Sequence, residues 1–456
     1  MKKLTALFLS LLAGAAVGEE AVAVPDFVRG HENIEWSIGY AFHLTDSNQR
    51  LPRVLLVGDS ICNGYQGEVQ KALEGLMSVS YWVSSYCVTS PRYLKLLEFY
   101  LEESPYEVVH FNNGLHSLGT PDAAWESGFR SALRLIKEKQ PRAKIVFTTS
   151  TPLKDVGKTA KAKALNEIGR RVAKEEGVKL EDDLFSLLDP LDRNQNWTDV
   201  FHHKPALRRM EAEQVATACA AAAGINTAIV PRGKIQNDCY DFYARHAKVL
   251  ADQKKINPQI VFVGDSITHF WCGRESIGMA EDSGTLPRWK KAFGNYRTLN
   301  LGFGWDRTCN VLWRLNNGEM AGLNPQLIVL HIGGNNYSTT REWCGNSPEE
   351  VKDGIFAVLK KLHEMAPQAR VVVMAIFPFG ERPDHPNRVK SVETNRMLAA
   401  EIGKFPYAEF LDITGKLIGA DGIYPKSLAN DFVHPTDAGY DIWSEALRPY
   451  LEKYVK

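Results

Sequence analysis

The sequence predicts an α/β protein built twice, each half a parallel sheet covered by helices. Each half alternates short β-branched runs with longer amphipathic stretches, the pattern of strands joined by helical crossovers. A chain of 456 residues is too long for one ordinary core and suits two domains of roughly 200 residues. One motif also occurs twice: VLLVGDSICNGY at 54–65 and IVFVGDSITHFW at 260–271, an apolar run that stops at Gly-Asp-Ser-Ile.

The opening residues stand apart. Met1-Lys2-Lys3 is basic, Leu4 to Leu12 is almost wholly apolar, and Ala16-Val17-Gly18 offers small residues before a cut at Glu19. This is the layout of a secretory signal peptide over 1–18, too short to span a bilayer. The mature chain is therefore expected to be exported, secreted or periplasmic, without stable membrane insertion. The first domain is expected over 19–227, with strands Val54–Val57, Val108–Phe111 and Ile145–Thr149 and helices Gly67–Gly75, Arg92–Glu102 and Ala123–Lys139. The join falls in AGINTAIVPRG, between Ala223 and Pro231, where an alanine-rich helix ends in glycine. In the second domain, 228–456, Tyr240–Gln253 reads as an entry helix. Strands follow at Ile260–Val263, Leu327–Ile332 and Val371–Ile376, with helices Pro348–Met365, Asn387–Ile402 and a closing one after Pro435.

Composition is 44% hydrophobic and 24% charged, with 54 basic and 54 acidic residues balancing to +0. Nucleic acid and anionic membranes need a basic field and are excluded as main partners. The seven cysteines, at 62, 87, 219, 239, 272, 309 and 344, form no CxxC pair and no zinc-like spacing. Their pairing is not readable from spacing, and no metal or organic cofactor is called for.

Ser60 and Ser266 each follow an apolar run, at the strand end where an open parallel sheet places groups that touch substrate. The turn into a helix points backbone N–H groups at whatever the serine oxygen binds. A serine hydroxyl needs a base, and the base needs an orienting group. NDFVHPTDAGY supplies Asp431 and His434, and NWTDVFHHKPA supplies Asp199 and His202, with His203 a competing base. One Asp-x-x-His is more often a surface turn; two, each late in its half behind a Gly-Asp-Ser, argue for a relay. For the oxyanion, LHIGGNNYS offers Asn335, and NLGFGWDRT offers backbone donors around Gly304 and Trp305. The Gly302-x-Gly304 pair lacks the third glycine of a dinucleotide site, Arg307 standing there, and no Gly-x-Ser-x-Gly elbow surrounds either serine.

The order Gly-Asp-Ser, Asn-Leu-Gly-Phe-Gly, Gly-Gly-Asn-Asn, Asp-Phe-Val-His-Pro resembles the four blocks of the SGNH (GDSL) hydrolase superfamily. Residues 258–452 are similar in detail to the branch containing the catalytic subunits of platelet-activating-factor acetylhydrolase, above all in NLGFGWDRTCNVLWRLNNGEM. The resemblance implies two tandem three-layer αβα, flavodoxin-like domains and ester hydrolysis through an acyl-serine. It implies Ser266 as nucleophile, Asn335 as oxyanion donor, Asp431 as orienter and His434 as base. Trp305 departs from the family, which places glycine before the Asp of block II; its indole either shapes the pocket or packs under the loop.

The first half, 52–222, matches only the outer blocks, through Ser60, Asp199 and His202. Aligning His110 with His331 puts Gly114 opposite Asn335, and Asn112 or Asn113 could take the donor role from a shifted loop. That half is either active with altered specificity or degenerate. Phe270, Trp271, Trp305 and Tyr337 near the second site, with Trp271, Tyr337 and Asn113 as candidate substrate contacts, favour an acetylated glycan. A short-chain lipid or lysophospholipid ester is the alternative substrate, and a glycan-binding protein with vestigial triads is the non-enzymatic reading.

Overall fold

A computed structural model describes residues 34–41, 51–234, 239–278, 284–340, 343 and 345–456; the expected signal peptide lies outside them. The first half contains strands β1 (Ser37–Tyr40), β2 (Arg53–Gly58), β3 (Ser78–Ser84), β4 (Val108–Phe111), β5 (Lys144–Thr148) and β6 (Leu180–Asp182). They form one sheet in the order β1-β3-β2-β4-β5-β6, parallel except for β1, which runs antiparallel along β3. The second half contains β7 (Ile260–Gly264), β8 (Thr298–Gly302), β9 (Leu327–His331), β10 (Arg370–Met374) and β11 (Ala408–Leu411), all parallel in the order β11-β10-β9-β7-β8. With β1 set aside, both sheets follow one doubly wound plan. The first strand of each lies between the second and the third, and the chain reverses direction there.

The three layers follow from strand parity. Val54 and Leu56 of β2 enter one core while Leu55 and Val57 enter another; in β7, Val261 and Val263 part from Ile260 and Phe262 in the same way. Alternate side chains point to opposite faces, so near-continuous apolar runs bury a sheet on both sides. Helices Ser60–Ala72 and Pro205–Ala222 cover one face of the first sheet; Tyr93–Glu102, Asp122–Lys139 and Val156–Glu175 cover the other.

Two expectations shift. The first helix starts at Ser60 rather than Gly67, because the Asp59 side chain caps it by accepting from the Ile61 N–H at 2.9 Å. Strands β3 and β8 carry buried polar side chains that hide the strand pattern: Ser78, Ser80 and Ser84 in one, and Asn300, which donates to the Thr268 carbonyl, in the other.

The join is docked rather than loose. Thr308 donates to the Ala228 carbonyl at 2.8 Å, Asn310 to the Arg232 carbonyl at 2.9 Å, and the Gly233 N–H donates to Glu213 at 2.8 Å. Among the described residues, no helix is long and apolar enough to cross a membrane.

Candidate active site

Ser266 opens the helix Ser266–Cys272 at the carboxyl end of β7, with Asp265 as its cap. Glycine must precede the pair here: a Cβ on Gly264 would lie 2.1 Å from Thr268 Oγ1 and 2.4 Å from the His331 carbonyl oxygen. The loop before the helix Asp437–Tyr454 brings up the relay. Asp431 Oδ1 accepts from the N–H groups of Val433 at 3.0 Å and His434 at 2.8 Å, and its Oδ2 lies 2.7 Å from His434 Nδ1. An ionised carboxylate only accepts, so Nδ1 carries the ring proton and Nε2 accepts from the Ser266 hydroxyl at 2.8 Å. Burial works against the charge on Asp431, but hydrogen bonds from the His434 ring, its N–H and the Val433 N–H outweigh it and hold the carboxyl below its ordinary range. Phe270 packs against the imidazole, ring centres 5.3 Å apart.

The residues expected as oxyanion donors stand on two other loops. Asn335 stands in the tight turn Gly334–Tyr337 beyond β9, one amide N–H donating to the Asp306 carbonyl at 3.1 Å. Trp305 follows β8 with φ +61°, a left-handed conformation that suits glycine and strains a bulky residue, and its side chain is 43% exposed. Beneath these loops, burial raises Asp306 to about 6 against the pull of Arg314, whose Nε donates to it at 2.8 Å. Burial, with the Asp306 charge adding, raises Asp265 to about 7.

The first half assembles the same relay. Asp199 Oδ1 accepts from the N–H groups of Phe201 and His202, both at 2.8 Å, and its Oδ2 lies 2.8 Å from His202 Nδ1. His202 Nε2 stands 3.0 Å from Ser60 Oγ. Burial opposes the Asp199 charge, yet the hydrogen bonds from His202 and the Phe201 N–H hold its carboxyl at about 2. His203 is buried, 2.9 Å from Glu211, so the imidazole at the serine is His202.

Several expected contacts fall elsewhere. Trp271 is not a substrate contact: it is 1% exposed, stacked on Trp443 at 4.3 Å and Tyr440 at 5.1 Å, because a residue five along from Ser266 turns into the core. Tyr337 is buried too, its hydroxyl on Thr394 at 2.7 Å. Asn113 is a loop brace, donating to the Tyr86 carbonyl at 2.8 Å and accepting from Ser117 at 3.1 Å. Asn112 is likewise engaged, donating to the Thr148 carbonyl at 2.7 Å.

The sheet register also replaces the histidine alignment. Val57 faces Phe111 and Val263 faces Leu330, so Asn112, not His110, stands where His331 does. His110 is buried against Asp182 at 2.9 Å. Residues that sequence reasoning missed, among them Arg208 beside Ser60, carry no motif and reach the site only through the fold.

A serine held by a histidine–aspartate pair at the carboxyl edge of a doubly wound sheet, with an asparagine on the neighbouring turn, defines a serine hydrolase of the SGNH type. The chain belongs to the GDSL-like lipase/acylhydrolase family, whose family model matches residues 262–442. It is similar to subunit alpha2 of platelet-activating factor acetylhydrolase IB from Gallus gallus, 34% identical over 217 residues, 47% of this chain and 86% of the relative. Subunit alpha1 from Homo sapiens is 33% identical over 206 residues, 45% of this chain and 80% of that one. Among solved structures, a GDSL-like lipase from Bacteroides thetaiotaomicron shares 21% identity over 46% of this chain and 98% of its own, with a TM-score of 0.38.

Proposed function

We propose that the second half of the chain hydrolyses acetyl and other short-acyl esters through an acyl-Ser266 intermediate, with O-acetylated carbohydrate as substrate. The observation that carries the reaction is the unbroken line Ser266–His434–Asp431, at 2.8 and 2.7 Å. His434 Nε2 takes the hydroxyl proton as Ser266 Oγ attacks the carbonyl carbon, and returns it to the leaving alcohol. Water, deprotonated by the same nitrogen, then releases the acid. The second amide N–H of Asn335, with the N–H groups of Ser266 and Trp305, supplies the oxyanion donors.

The carbohydrate reading rests on the exposed Trp305 indole on the loop after β8, a flat apolar face of the kind on which sugar rings stack. It also rests on the export that residues 1–18 suggest. A second reading, a short-chain lipid or lysophospholipid ester, is favoured by the relative named for platelet-activating factor, at 34% identity. Acetate release from acetylated xylan or acetylated sialic acid, set beside p-nitrophenyl esters of increasing chain length, tests both. Fast acetate release with rates that fall beyond acetyl supports the carbohydrate ester; rates that climb with chain length overturn it for the lipid.

A further inference from the structure

We propose that the first half holds a second acyl-transfer site, with Ser60 as nucleophile and His116 as oxyanion donor, built for esters that carry an anionic group. The relay there matches that of the second half bond for bond, with Ser60 3.0 Å and Asp199 2.8 Å from the two nitrogens of His202.

The donor emerges from sheet register. Phe111 holds the place of Leu330 beside the first strand of its sheet. Three residues on in each half, Gly114 and Gly333 precede a tight turn, Leu115–Ser117 in one and Gly334–Tyr337 in the other. His116 therefore stands where Asn335 stands, and an imidazole N–H is a donor suited to an oxyanion. Gly114 admits no side chain, since a Cβ there would lie 1.9 Å from Ser150 Oγ, which fixes the approach to this turn.

The first sheet has an element that the second lacks among its described strands, the antiparallel strand β1. The residue before it, Trp36, meets the His116 ring edge-on at 6.2 Å. Trp36 is itself tied to Ser85, accepting from the Ser85 N–H at 3.1 Å and donating its own N–H to Ser85 Oγ at 2.8 Å. By the β2–β3 and β7–β8 registers, Ser85 occupies the place of Gly304. Trp36 thus ties the His116 turn to the segment after β3, at the level where the second half carries the exposed Trp305.

The substrate class follows from what stands four residues after each serine. In the second half this is Phe270, against the catalytic imidazole. In the first it is Gly64, and the stem of Arg208 fills the space, its Cδ 3.5 Å from where a Gly64 Cβ would be. Arg208 is anchored by its Nε on the His203 carbonyl at 2.8 Å. It lines a cavity of about 260 Å³ together with Ser60, Asn63, His202 and Glu211, whose carboxyl is pushed above its ordinary range by burial against the pull of His203 and Arg208. A guanidinium in the same cavity as the nucleophile selects carboxylate or other anionic groups.

Chemically, Ser60 Oγ bonds to the ester carbonyl carbon as its proton passes to His202. The C–O bond to the alcohol breaks with return of that proton. Water then cleaves the acyl-Ser60 bond, releasing the carboxylic acid.

A fluorophosphonate probe tests the site without knowledge of its substrate, since an activated serine displaces fluoride and keeps the phosphonyl group. The full-length wild type should take up two equivalents, Ser266→Ala one on Ser60, Ser60→Ala one on Ser266, and the double variant none, as mapped by peptide mass. His116→Ala should slow labelling of Ser60 roughly 10²-fold, with Ser266 in the same sample as reference, and His116→Gln, which keeps an N–H donor, should restore most of it. In the Ser266→Ala background, Arg208→Ala should raise KM for p-nitrophenyl hemisuccinate far more than for p-nitrophenyl acetate. Labelled Ser266 beside unlabelled Ser60 overturns this site and leaves the function proposed for Ser266 standing. If neither serine labels, both fall. Labelling of Ser60 that is indifferent to His116→Ala removes the donor assignment, and equal KM changes for the two esters remove the anionic substrate.

Discussion

The two halves agree where a site can be built from a few consecutive residues and part where separate loops must meet. Each serine opens a helix just beyond the carboxyl end of a central parallel strand, β2 in the first half and β7 in the second. Each aspartate spends one oxygen on the N–H groups two and three residues ahead and the other on the histidine ring, at 2.8 Å in the first half and 2.7 Å in the second. That arrangement closes within four residues and repeats faithfully. The segments expected to supply donors follow two further strands, and there the halves diverge: Gly304, Trp305 and Asn335 in the second correspond by register to Ser85, Tyr86 and His116 in the first. A relay fixed by local hydrogen bonds survives change elsewhere; a donor pocket assembled from distant segments changes with each of them.

Loss of the nucleophile gives the largest expected effect. In a Ser60→Ala background, Ser266→Ala should lower kcat on p-nitrophenyl acetate by something on the order of 10⁶. Steady-state rates that survive the double substitution would break the comparison at its root. Next comes the donor on which the halves differ: Asn335→Ala should cost about 10²–10³ in kcat with KM little changed, and a change confined to KM would place Asn335 in binding instead.

A smaller effect should appear in stability against pH. Asp265 and Asp306 titrate at about 7 and about 6 in the folded chain, above the ordinary aspartate value of about 3.9. Between those limits the folded state binds more protons than the unfolded one, so their contribution to stability falls as pH rises from about 4 to 7. Asp199 works the other way: held at about 2, it contributes stability above the ordinary value that is lost as pH falls from about 4 to 2. Urea midpoints measured across this range should fall less steeply from pH 4 to 7 in Asp265→Asn than in the wild type; parallel curves would rule out the buried carboxyl as the cause.

The smallest effect concerns Trp305. Glycine relieves a left-handed backbone, so Trp305→Gly should raise stability by about 1 kcal/mol. The same change should weaken binding of an acetylated sugar, read as a higher KM. A stabilised variant with unchanged KM would separate the strain from any role in substrate recognition.

The amino-acid sequence by itself determined the doubled α/β plan, the two serines at strand ends and both Asp-x-x-His loops. Each of these is written in residues close enough to contact one another through one turn or one strand. Only the tertiary structure decided that Trp271 and Tyr337 lie in the core, since both aromatics look the same in sequence whichever way their element faces. It also decided that Asn112 rather than His110 matches His331, and that His116 corresponds to Asn335. Such equivalences are set by how strands pair across the sheet, and pairing is a contact between residues dozens of positions apart. Arg208 reaches Ser60 for the same reason: the last helix of the first half packs against the one that begins at Ser60, and no local pattern announces that contact.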